Sequence, residues 1–456
     1  MAATDSYAPD LAERARQITE VEKVTYRERT PRSRAATDRA RRSLPLGVPS
    51  SFQAYDPHPI VAKRAQAAWL EDVDGNHYVD FNMGFGALFA GHCHPRVRAA
   101  IEAQLDEGTL FVTPCESNAE VAELLAERYR LPMWRFTNSG TEATMDAIRV
   151  ARGVTGRDKL VKVEGGYHGH HDEVMISMKP PISEAGPPDA PRAIPATAGI
   201  TRAVLGDTIV IPYNNVEALE RVLKTGEVAC FIVEPVMENI GICLPQPGYL
   251  EAARELTRRY GTLLIFDEVK TGITAGWGGA TGALGVQPDL VSLAKSIGGG
   301  LPIGAFGGQQ EYMDSVSSGK VLHLGTYNGN PLVMAATKAV LAEVCTKEAT
   351  QDAIDRNRRY LDACDAIIAE QSLPAHTVQF GAKGCITWAP EPIRNYRDYK
   401  ATDFDVAFAQ WLWGINRGVL LPTGLDEQWL ISVMHDDDDV AHGVEDFRSF
   451  VDALLA

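Results

Sequence analysis

Apolar and polar residues along the chain change period several times, and each change predicts an element. Near the start, Leu11, Ala15, Ile18 and Val21 recur at helical spacing in a polar stretch, and the basic run Arg27 to Arg42 that follows reads as a solvated helix face. Around Trp69 the period shortens: Ala68-Trp69-Leu70 and His77–Phe81 flank Asp74-Gly75-Asn76, the composition of a hairpin turn. From about 95 to 335, helical and strand patterns alternate. Arg96–Glu107, Ser117–Arg130, Asn215–Leu223 and Tyr249–Tyr260 read as helices. Lys159–Val163, Thr208–Ile211, Cys230–Glu234, Leu263–Asp267 and Leu290–Leu293 read as short buried strands, most of them meeting a polar or acidic residue at one end. Such alternation predicts an α/β fold with a mostly parallel sheet between helices, whose strand ends carry the chemistry. Trp134–Phe136 is too short to assign firmly.

The stretch Met178–Thr201 breaks the pattern with six prolines, Pro180, Pro181, Pro187, Pro188, Pro191 and Pro195, and is read as a lid or surface excursion. After Pro331 a long helix over Leu332–Thr346 is expected, then a smaller mixed region to Ala456. The pattern divides the chain into an N-terminal helical segment and hairpin (1–90), a large domain (91–335) and a C-terminal small domain (336–456). The 1–90 segment is expected to complete the small α+β domain.

Composition narrows the function. Acidic residues number 60 against 44 basic ones, a formal charge of -16, the opposite of a general nucleic-acid footprint. No apolar run is long enough to span a membrane. The N-terminal region has no apolar signal core, and acids such as Asp5, Asp10 and Glu13 interrupt its arginines. The 7 cysteines are scattered without a CxxC pair. A cytoplasmic protein with reduced thiols is expected.

Three motifs bear chemistry. Thr137–Ala143 (TNSGTEA) puts small hydroxyl residues and a glycine at a helix N-terminus, where free N–H groups can hold a phosphate; alone it is equally a helix cap. Leu264–Val269 (LIFDEV) is an apolar strand ending in two carboxylates, alone equally a strand end reaching solvent. Leu293–Gly300 (LAKSIGGG) is a strand end followed by a lysine and a glycine run, alone equally a surface lysine beside a loop. Together, a phosphate cup, a strand-end acid and a strand-end lysine suit pyridoxal phosphate. His168, His170 and His171 with Asp172, and His435 with Asp436–Asp439, are weighed as metal sites. No metal is expected: the first group belongs to a longer pattern described next, and the acids of the second suit a helix N-terminus.

The chain resembles the class III, fold type I aminotransferases, and within them glutamate-1-semialdehyde aminomutases and their transaminase relatives. The resemblance rests on NSGTEATMDAIRVAR (138–152), GYHGH (166–170), EPVMEN (234–239), FDEVKTG (266–272), LAKSIGGGLPIGAFGG (293–308) and GTYNGNP (325–331), in the family's order, within about residues 45–435. It implies that Lys295 is the Schiff-base lysine and proton shuttle, and that Asp267 pairs with the pyridine nitrogen. It further implies that Ser139, Gly140 and Thr141 cup the phosphate and that Tyr167 and Val269 cover the two ring faces. Asn239 corresponds to the contact to the ring hydroxyl. Thr326 corresponds to a residue that reaches the neighbouring subunit's phosphate, which implies a homodimer with shared active sites. The loop after Met178 sits where the aminomutases have a mobile gate.

The substrate end departs from the family. Gln53 stands where the aminomutases have a carboxylate-binding arginine, and Ser51 where β-amino-acid enzymes have theirs; Arg41, Arg42 or Arg64 could replace the missing cation by folding in. Glu427 matches an acidic position of the aminomutases. The resemblance therefore implies an aminotransferase passing nitrogen from an amine or amino acid to a carbonyl acceptor. An aminomutase is the alternative, and a racemase a smaller one. A cofactor-binding regulator would need a DNA-binding segment, for which the basic run is too short.

Overall fold

The computed structural model describes residues 8–423 and 428–456. Strands in chain order are β1 (Ala62–Gln66), β2 (Trp69–Asp72), β3 (His77–Asp80), β4 (Met133–Thr137), β5 (Lys159–Val163), β6 (Thr208–Ile211), β7 (Val228–Val233), β8 (Leu263–Asp267), β9 (Leu290–Ala294), β10 (Gly304–Gly308), β11 (His376–Phe380), β12 (Lys383–Thr387), β13 (Val419–Leu420) and β14 (Trp429–Leu430). Seven of them form the main sheet in the order β4-β10-β9-β8-β7-β5-β6. From β6 to β9 every neighbouring pair is parallel, and only β10 runs against its neighbours β9 and β4.

Alternation along the strands builds two apolar layers. Cys230, Ile232, Ile265 and Leu290 face one side, where Ala143, Ala147 and Ala151 of the helix Gly140–Thr155 cover them. Phe231, Val233, Phe266 and Val291 face the other side, with Leu219 and Leu256 from the helices Val216–Leu223 and Tyr249–Arg259. Both faces of β7, β8 and β9 are thus buried, which is why these strands read as continuous apolar runs rather than alternating ones.

The hairpin forms as its composition predicts, with β2 antiparallel to β3 and Gly75 at φ +91° in the turn. β13, from near the other end of the chain, pairs in parallel with β3, so the N- and C-terminal segments share one small sheet. Two expectations need correction. The helix after Pro331 is not continuous: it runs to Ala339, changes to a π-helical turn over Val340–Val344, and a new helix capped by Thr346 runs over Lys347–Glu370. The N-terminal pattern is two helices, Ala8–Arg29 and Pro31–Ala40, because Pro31 supplies a first-turn start and no amide. Leu11, Ala15 and Ile18 are buried as expected, whereas Val21 is 65% exposed.

Candidate active site

The strands' carboxyl ends open on one cavity of about 710 Å³. Sheet register puts the three motifs there together. Thr137, Gly304 and Ala294 lie side by side across β4, β10 and β9, so the chain leaves the sheet at the same level toward Ser139 and toward Lys295. The contact is close: a Cβ at Gly304 would lie 2.2 Å from the Ser139 carbonyl oxygen, so only glycine fits. Asp267 ends β8, and Glu234 follows β7 beside it. Ser139, Gly140, Thr141, Tyr167, Asp267, Val269 and Lys295 all line the cavity.

Ser139 caps the helix Gly140–Thr155, its hydroxyl accepting from the Glu142 amide at 3.2 Å. The helix N-terminus faces the cavity with the partial positive charge that holds phosphates. Gly169, at φ +100°, brings the 166–170 loop against this turn: a Cβ there would be 2.8 Å from the Thr141 Cα. Lys295 follows β9 with φ +49°, a left-handed conformation unusual for a side-chain-bearing residue.

Asp267 is 3% exposed and held at both oxygens. Oδ1 accepts the Val269 amide at 3.0 Å, and Oδ2 faces His168 Nδ1 at 2.8 Å. A carboxylate oxygen only accepts, so His168 carries its proton on Nδ1. Its buried Nε2 has no hydrogen-bond partner among the described residues. Sequence reasoning weighed His168 only as a metal ligand, and its place behind the acid was the contribution it missed. The invisible signal was three-dimensional: His168 and Asp267 are 99 positions apart. Glu234 was missed too: its carboxylate accepts the Tyr167 amide at 3.0 Å and the Glu238 amide at 2.9 Å, fixing the loop that carries Tyr167.

Other predicted residues lie elsewhere. Asn239 is buried and donates to the Gly165 carbonyl at 3.1 Å, off the cavity wall. Thr326 is exposed in a separate surface groove with Phe111 and Val112. Gln53 lines the mouth of the cavity, with its Oε1 accepting from the Ser50 amide at 3.1 Å; Ser51 is exposed and off the wall. Glu427 lies outside the described residues. None of the proposed substitute arginines reaches the wall: Arg64 pairs with Glu71 at 2.5 Å and Arg41 with Asp38 at 2.7 Å. The histidines of the 168–171 run take separate partners, His170 with Thr141 and His171 with Glu173, and no group of three or more candidate metal ligands exists among the described residues. Asp436 caps the helix Asp437–Leu455, the role expected of that acidic run.

The donor set suits pyridoxal phosphate: an anion cup, a fixed carboxylate and a lysine converge on one cavity, and glycine at 304 and 169 lets the neighbouring backbone pack directly against the cup residues Ser139 and Thr141. A profile of the family described as aminotransferase class-III matches residues 51–382. The chain belongs to the class III aminotransferases. It is 38% identical over 417 residues to a glutamate-1-semialdehyde 2,1-aminomutase from Exiguobacterium sibiricum, covering 90% of this chain and 94% of that one. The crystal structure of a glutamate-1-semialdehyde aminomutase from Pseudomonas aeruginosa in complex with PMP superposes with a TM-score of 0.89 at 31% identity, over 97% of this chain and 99% of that chain. An omega-transaminase from Sphaerobacter thermophilus gives 0.88 at 32% identity, over 93% and 98%. As a class III aminotransferase, this protein is a pyridoxal-phosphate-dependent enzyme.

Proposed function

We propose that this class III enzyme is a two-substrate aminotransferase, with an amine or amino acid as donor and a carbonyl compound as acceptor, and that it works as a homodimer. The observation that carries the choice over an aminomutase is Gln53. It stands at the aminomutases' arginine position, and its amide oxygen is turned back on the Ser50 amide.

When bound, pyridoxal phosphate supplies an electron sink for the charge left as the substrate's Cα proton departs. The chain's residues do the rest. Lys295, on the cavity wall, would hold the cofactor through its amine, and that amine would serve as the base that moves the substrate's Cα proton. Asp267, fixed by His168 and the Val269 amide, would pair its carboxylate with the ring nitrogen and keep the ring a good electron acceptor. Ser139, Gly140 and Thr141, together on the cavity wall, would hold the phosphate, and Tyr167 and Val269 would enclose the ring. Asn239 sits behind the wall, bracing Gly165.

An apolar surface around Thr326 supports the dimer. Val112 is 74% and Leu324 81% exposed, and Phe111 and Tyr327 are exposed nearby, a patch that a second copy would cover. Thr326 would there complete the partner's phosphate site. Free thiols, most of them buried, fit a reducing compartment such as the cytoplasm, and no helix among the described residues is long and apolar enough to cross a membrane. We keep the units 1–90, 91–335 and 336–456; the main sheet, from Met133 to Gly308, falls within the middle one.

The test is a donor panel of amines, α-amino acids and β-amino acids, with and without a carbonyl acceptor. Amino transfer that requires the acceptor is expected, and Lys295→Ala should abolish it. Acceptor-independent conversion of glutamate-1-semialdehyde to 5-aminolevulinate would overturn the reading. It would favour the aminomutase alternative, for which the 38% identity to the Exiguobacterium enzyme speaks.

A further inference from the structure

Lys162, near the end of β5, is fully buried. A lysine in such a place is rare, because its nitrogen must leave water and find acceptors inside the protein. It finds two carbonyls: Nζ donates to Gly166 at 2.8 Å and to Ile176 at 2.5 Å. Gly166 lies just beyond β5, and Ile176 lies where the chain returns to bridge Pro195. One side chain therefore closes the segment that carries Tyr167, His168 and Gly169. Gly166 matters for a second reason. Its carbonyl and the Tyr167 amide belong to one peptide unit, and that amide donates to Glu234 Oε1 at 3.0 Å. β5 pairs with β7, which brings Glu234 to this place. The unit is thus gripped from both sides, by a buried amine on its oxygen and a buried carboxyl on its N–H. Burial draws the Lys162 pKa down to about 7, while Glu234 pulls it up. Protonated or not, the nitrogen has the two N–H groups that the carbonyls take.

Resting on the assignment of Tyr167 to a ring face, we propose that Lys162 is a positioning residue: by holding the Gly166 and Ile176 carbonyls it fixes the peptide before Tyr167, and with it the tyrosine's seat on the cofactor ring. A peptide unit turns only as a plane, so gripping its oxygen and its N–H sets the direction in which Tyr167 leaves the loop before any cofactor arrives. An apolar side chain at 162 would leave two buried carbonyls unpaired, and the loop would have to turn them toward water. The second carbonyl extends the hold to the base of the proline-rich stretch. There the Ser177 amide donates to the Ile194 carbonyl at 2.7 Å and the Ala196 amide to Met175 at 2.9 Å. The ladders of β7, β8 and β9 do not pass through these groups, so loosening at 162 should reach the loop and spare the sheet.

The test compares the wild-type holoenzyme with Lys162→Met, which keeps the stem and removes the donors, and Lys162→Gln, whose amide restores two N–H groups. Hydrogen exchange read by mass spectrometry should be about tenfold or more faster over 164–177 in the Met variant, with the strand 263–267 unchanged. The visible circular dichroism of the bound cofactor, which reports how firmly its ring is held, should weaken. The dissociation constant of pyridoxal phosphate should rise about tenfold. Lys162→Gln should recover part of each effect. Unchanged exchange or unchanged dichroism in the Met variant, equal acceleration over 164–177 and 263–267, or failure of both variants to fold would each overturn the proposal. Where Tyr167→Ala also leaves the dichroism unmoved, the fault lies in the ring-face assignment rather than in the hold on the loop.

Discussion

Replacing His168 by phenylalanine isolates the support of Asp267, the acid proposed to face the cofactor. The ring volume is kept, so no cavity opens, and the change reduces to the loss of one donor to Asp267 Oδ2, now 2.8 Å from Nδ1. Both side chains are essentially buried, at 0% and 3% exposure, so water does not replace the donor. A hydrogen bond to a charged group is worth about 1.5–3 kcal/mol. Asp267 would keep only the Val269 amide to hold it toward the cofactor. If that energy is used in catalysis, kcat should fall roughly 10- to 150-fold. The dissociation constant of the cofactor, read by fluorescence after dialysis, should rise alongside. His168→Asn, whose side-chain amide can donate from a similar position, should recover part of both. A phenylalanine variant with wild-type kcat and cofactor affinity would show that Asp267 is held without His168, and the reasoning would be wrong.

Lys383→Met strands Glu238 in a buried site and should cost about 3–5 kcal/mol, seen as a lowered unfolding midpoint; adding Glu238→Gln should restore much of it. Gly169→Ala pushes a Cβ to 2.8 Å from the Thr141 Cα and should raise the cofactor's dissociation constant about tenfold or more, with the protein still folded by circular dichroism. Burial pushes the Asp446 carboxyl up to about 7 from 3.8, against the pull of Arg417. The folded state then binds a proton that the unfolded state has released, so this group's contribution to stability declines as pH rises from about 4 to about 7. Asp446→Asn should flatten that decline in a series of unfolding midpoints; an unchanged slope would refute the assignment.

Much of this architecture is legible in the sequence because the main sheet is parallel and doubly covered, which forces unbroken apolar strands such as Leu263–Asp267. Cap residues fix several helix starts, among them Asn215 and Ser139. β10 was not legible: Gly304-Ala305-Phe306-Gly307-Gly308 has the composition of a loop. It is a strand because β4 and β9 pack so closely on it that side chains at 304 and 307 would collide with Ser139 and Trp134. The π turn after Ala339 likewise left no mark in the residue pattern. The proposed acid, lysine and phosphate cup come from local motifs, whose residues meet at one cavity. His168 and Glu234 could not be assigned roles, because what defines them is who faces them across the fold.

β10 also has a consequence for how the protein is made. β4 lies at the edge of the main sheet and pairs only with β10, which arrives some 170 residues later, Gly304 opposite Thr137. A growing chain therefore carries the Ser139–Thr141 turn for about a third of its synthesis without the neighbour that positions it. Closing so long a loop is slow relative to local pairing, and nothing rewards it until the glycine strand slots in. Cofactor capture should accordingly be one of the last events of folding, and chains stalled before residue 308 would expose an unpaired sheet edge for chaperones or proteases to find.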